Sequence, residues 1–123
     1  MHKKRQTMEG LKFTKQISGT VVKICFDTVE FSRLYEQDNP ESAKHLFHCN
    51  DGINKGLKWF IDSENAQEMY ENIGAYIKSV DLALAVYLNL NLLFENKEKL
   101  ISTLKNLHSH LIELQKQISL PKK

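Results

Sequence analysis

The stretch from Ser63 to Phe94 constrains the chain more than any other. In its first half Met69, Ile73, Tyr76, Val80, Ala83 and Tyr87 recur at spacings of four and three, one stripe on a helix. From Val80 through Leu82, Leu84, Val86, Leu88, Leu90, Leu92 and Leu93 to Phe94, its second half is apolar on nearly every side. A helix of that kind must be covered by neighbours or by a partner. Asp81, Asn89 and Asn91 interrupt it, so it is too short and too polar to span a membrane. The rest of the chain is therefore expected to wrap this segment. Apolar surface left over is a candidate docking site.

Three further segments carry the same rhythm. Ile17, Val21, Ile24, Thr28, Phe31 and Tyr35 step by four and three, and Val22, Cys25 and Val29 widen that stripe. This helix is expected to end near Gln37. Asn39, Pro40 and Glu41 then form a restart signal: a good N-cap, a proline suited to the first helical position, and an acid at the positive end of the dipole. The second helix runs to about Ile61 on Ala43, Leu46, Asn50, Ile53, Leu57 and Phe60. Gly52 and Gly56 each cost it about 1 kcal/mol relative to alanine, and as two glycines one turn apart they suggest close approach by another backbone. Asp62 and Ser63 supply the next turn and N-cap. Asn89 and Asn91 are alternative breaks of the central helix, with Asn96 the preferred end, and a last helix follows on Leu100, Leu104, Leu107, Leu111, Leu114 and Ile118 until Pro121 stops it.

Four helices with short connections and a seven-residue rhythm predict an all-α protein, an antiparallel four-helix bundle over residues 16–120. Residues 1–15 read as a flexible N-terminal tail. Up to residue 16 there are five basic residues against Glu9, a net +4, so the remainder carries −2 of the chain's +2. A basic tail on an acidic body can meet nucleic acid, but Phe13 is the single aromatic among its lysines, and a solvated terminus is the expectation. Cys25 and Cys49 are too few for a disulfide framework and read as reduced core thiols. No apolar run of the signal-peptide kind follows the basic start, so a cytoplasmic location is expected.

Catalytic patterns are missing. There is no phosphate-binding glycine loop and no nucleophile elbow. His45, His48 and Cys49 share a helix face with zinc-ligand types, but no second cluster completes a site. His108 and His110 are two apart and diverge around a helix. No Glu-x-x-His pair of the di-iron kind occurs. The expectation is a protein that is not an enzyme, with no catalytic residues, no metal and no cofactor.

From about Thr20 to Glu113 the chain resembles the flagellar export chaperones of the FliS family. Val21 to Asp27 looks like the family's first helix, apolar residues leading into an aromatic–Asp pair. Asn50 to Leu57, with Asp62 closing the helix, is similar to its second. The pattern from Asn96 through Leu100, Leu104, Leu107 and Leu114 is similar to its last. The resemblance implies a non-catalytic cytoplasmic chaperone. Such a protein holds the disordered C-terminal region of flagellin, or of another secreted filament protein, and prevents premature polymerisation. The alternative is a helical adaptor or regulator acting through oligomerisation or a partner helix. For the partner site, a bundle core needs one of the two apolar stripes on the central helix. Ile77, Leu84, Leu88 and Leu92 are then the candidate docking stripe, unless the two long neighbouring helices cover both stripes and return these residues to the core.

Overall fold

The computed structural model describes residues 15–37, 46–89 and 96–118. They form four helices and no strand: α1 (Lys15–Gln37), α2 (Phe47–Ile61), α3 (Ala66–Leu88) and α4 (Lys97–Gln117). Each helix packs beside its sequence neighbour, and α4 returns beside α1 to close the ring. Cross-helix bonds fix the directions. Ser32, late in α1, bonds Asn50 and Asn54, early in α2. The Asn72 amide, early in α3, donates to the carbonyl of Trp59, late in α2. Asn96, leading into α4, donates to the Leu34 carbonyl near the end of α1. The fold is an antiparallel four-helix bundle.

The expected stripes make the core. The six α3 positions from Met69 to Tyr87 are all buried, as are the six from Leu100 to Ile118 on α4 and its C-cap. On α1, Ile17, Ile24, Thr28, Phe31 and Tyr35 are buried. On α2, Leu46, Ile53 and Phe60 are buried, whereas Asn50 and Leu57 are half-buried and Ala43 lies outside the described residues.

Tyr76 ties three helices together. Its ring lies against Gly56 of α2, where an added Cβ would come within 2.6 Å of the ring. Its hydroxyl reaches Thr28 on α1, diagonally across the core. The Thr28 hydroxyl spends its single proton on the Ile24 carbonyl at 2.8 Å, so Tyr76 is the donor to Thr28. Tyr87 meets Phe31 edge to face, with ring centroids 6.0 Å apart. Burial pushes both phenols well above the ordinary tyrosine range. The close approach expected at the two glycines is therefore real at Gly56, but it is made by a ring rather than by backbone.

Four other expectations need correction. Val22 and Val29 do not widen the buried face of α1; they are exposed, because at 100° per residue Val22 sits about 160° from Ile24. Cys25 is half-buried at the edge of the core rather than within it. The N-cap of α3 is Asn65, not Ser63. The Asn65 side chain accepts from the Glu68 N–H, and the Glu68 carboxylate accepts from the Glu64 N–H. Ser63 instead donates to the Trp59 carbonyl, closing α2. The central helix also stops earlier than expected, at Leu88. Asn89 is the C-cap: its backbone N–H and its side-chain amide, the latter at 2.8 Å, both donate to the Ala85 carbonyl. The tail, the Asn39–Pro40 restart and residues 90–95 lie outside the described residues.

The two glycines separate close packing from propensity. Gly56→Ala forces a methyl into the Tyr76 ring and is expected to cost roughly 1–3 kcal/mol, the range for overpacking. At Gly52 the nearest atom to an added Cβ is the Ser79 hydroxyl, 3.9 Å away. Gly52→Ala is expected to be neutral or to stabilise by up to about 1 kcal/mol through helix propensity. Urea melts of the two variants check this.

Candidate functional site

The closed core leaves an apolar trough between α2 and α3. Leu82 is 69% exposed and Val86 37%, one turn apart on the flank of α3 that faces α2. His48, Cys49 and Gly52 form the opposite wall, with Ser79 and Ala83 on the α3 side. The enclosed volume is about 260 Å³. Small residues create it: glycine faces serine across the seam, so the helices meet without filling the space above them. Cys49 is half-buried there, and burial pushes its thiol up, which disfavours the reactive thiolate. The trough therefore offers apolar side-chain surface with a thin polar rim, suited to holding apolar groups.

The docking stripe expected from sequence is not presented as one open face. Ile77, Asp81, Leu84 and Leu88 share a side of α3, and Asp81 meets His108 of α4, so this side turns towards α4. Ile77 and Leu84 are partly buried and pack against the core. Leu88 is 57% exposed, and Leu92 lies outside the described residues. The open apolar surface of α3 is on the other flank. Leu82 and Val86 were visible in the sequence only as part of an all-apolar run. The signal that separates them is a pair of small residues at the seam, Gly52 on α2 and Ser79 beside them on α3.

The histidines of α4 diverge as their spacing requires. Two residues apart is about 200° around a helix. His108 meets Asp81 of α3 at 2.8 Å, and His110 meets Asp27 of α1 at 2.7 Å. The two bonds clip α4 to both neighbours. Among the described residues no group of three His, Cys, Asp or Glu side chains is placed to hold a metal ion; His45 of the expected His–Cys face lies outside them. No described helix is long and apolar enough to cross a membrane. No protein-family model matches the sequence, no curated protein matches it, and no solved structure matches the fold.

The two clips differ in burial, and their removal is expected to differ in cost. The Asp27 side chain is 10% exposed, so His110→Ala strands a buried carboxyl and is expected to cost about 3 kcal/mol. The Asp81 side chain is 58% exposed, and His108→Ala is expected to cost less than about 1 kcal/mol. Chemical denaturation at constant pH measures both.

Proposed function

We propose that the protein is a non-catalytic, client-binding chaperone of the flagellar-export kind, acting in the cytoplasm on the disordered C-terminal region of a secreted filament protein such as flagellin. The observation that carries this reading is the trough between α2 and α3. It is apolar and open on a bundle whose core is already complete without it. A disordered client that folds on binding needs such pre-formed apolar recesses, into which side chains of an amphipathic segment insert. The resemblance of three helices to FliS-family helices adds the identity of the client.

Leu82→Asp and Val86→Asp test this. Both residues are exposed, so thermal melts are expected to stay within about 0.5 kcal/mol of the parent. Binding of the C-terminal region of the host's flagellin, followed by titration calorimetry, is expected to be lost in both. A parent protein that does not bind that region overturns the client assignment. Binding that survives both substitutions moves the site away from the trough.

A further inference from the structure

A second apolar feature lies on α1 and takes no part in the trough. Val22, Phe26 and Val29 stand at i, i+4 and i+7 and are 66%, 67% and 61% exposed. Single exposed apolar residues are ordinary, but three in one unbroken seam on a single helix mark an interaction surface.

The charges along the same helix indicate what covers the seam. Lys15 and Lys23 lie towards the N-terminal end of α1, and Glu30 and Glu36 towards the C-terminal end. Two copies of α1 laid antiparallel, with the two-fold axis between Cys25 and Phe26, bring Val22 of each against Val29 of the other. The same register sets Lys15 against Glu36 and brings Lys23 near Glu30. It also sets the small Ser18 opposite Arg33, whose guanidinium is held by Glu30 at 2.6 Å. Every pairing occurs twice, as a self-complementary interface requires. A parallel arrangement would instead place Lys15 against Lys15 and Glu36 against Glu36, an unfavourable pairing of like charges.

We propose that the Val22–Phe26–Val29 seam is a homodimer interface, in which α1 pairs antiparallel with α1 of a second copy of this chain. The 23 residues of α1 extend for about 35 Å. One helix face of that length buries on the order of 400–500 Å² per copy, below the roughly 800 Å² of a standard stable interface, so the dimer is reversible and concentration-dependent. Pairing through α1 leaves the α2–α3 trough uncovered, and this inference does not rest on client binding.

Sedimentation equilibrium of the full chain over a concentration series is expected to show a reversible monomer–dimer equilibrium. Phe26→Asp is expected to weaken it at least tenfold with the helical circular dichroism unchanged. The register is read separately, in a Cys25→Ser, Cys49→Ser background, by treating chains carrying Val22→Cys or Val29→Cys with a short bismaleimide. An equal mixture of the two is expected to cross-link more than either alone. A parent chain that stays monomeric throughout overturns the proposal. So does a Phe26→Asp chain that dimerises like the parent, or cross-linking as strong in either single variant as in the mixture.

Discussion

The hydroxyl of Tyr76 sits at the centre of the bundle, and the arrangement of the helices depends on satisfying it. A fully buried phenol without a partner costs about 1–3 kcal/mol. Here the partner is Thr28 on the diagonal helix, and that threonine is itself anchored to the Ile24 carbonyl. The tyrosine reaches it because Gly56 has no side chain to hold the ring away. One residue from each of α1, α2 and α3 therefore has to be in register at once. An all-aliphatic core would tolerate small rotations of the helices; this bond does not. Tyr87, about three turns further along α3, lacks such a bond: its ring is fully buried against Phe31, and its hydroxyl has no hydrogen-bond partner among the described residues. The specificity of the core is concentrated at Tyr76.

Closing the core with one stripe per helix leaves apolar surface outside it, the trough and the α1 seam among it. The trough is recessed and shaped by small residues, which suits insertion of a client's side chains. The α1 seam is convex and flanked by charges of opposite sign at its two ends, which suits a second copy of itself. Neither is required for the helices to pack; the proposed client and the proposed second copy are what would cover them.

The fold was legible in the sequence because helical period carries burial directly. All twelve stripe positions named on the central and last helices are buried. Positions whose fate depends on a neighbour were not legible in the same way. Val22 and Val29 were expected to widen the α1 stripe, although helical period alone sets Val22 about 160° from Ile24 and so off the buried face. The end of α3 was legible only as a choice among asparagines: Asn89, Asn91 and Asn96 all read as possible breaks, and helical period does not decide between them. The candidate site was legible only as a surplus of leucines on one helix. Ile77 and Leu84, on the flank where Asp81 meets His108, are partly buried, Leu88 at the end of that flank is exposed, and small residues open the other flank beside Leu82 and Val86.

The central claim is that Tyr76 must donate to Thr28 for the core to hold its register, and a double-mutant cycle tests it most directly. Thr28→Val keeps the shape but strands the buried phenol hydroxyl. Tyr76→Phe removes that hydroxyl and leaves Thr28 bonded to the Ile24 carbonyl. Denaturant unfolding is therefore predicted to show Thr28→Val as the costlier single change, at about 1–3 kcal/mol, and the double variant as more stable than Thr28→Val alone. Additive losses, with the double variant the least stable of the three, would contradict the account.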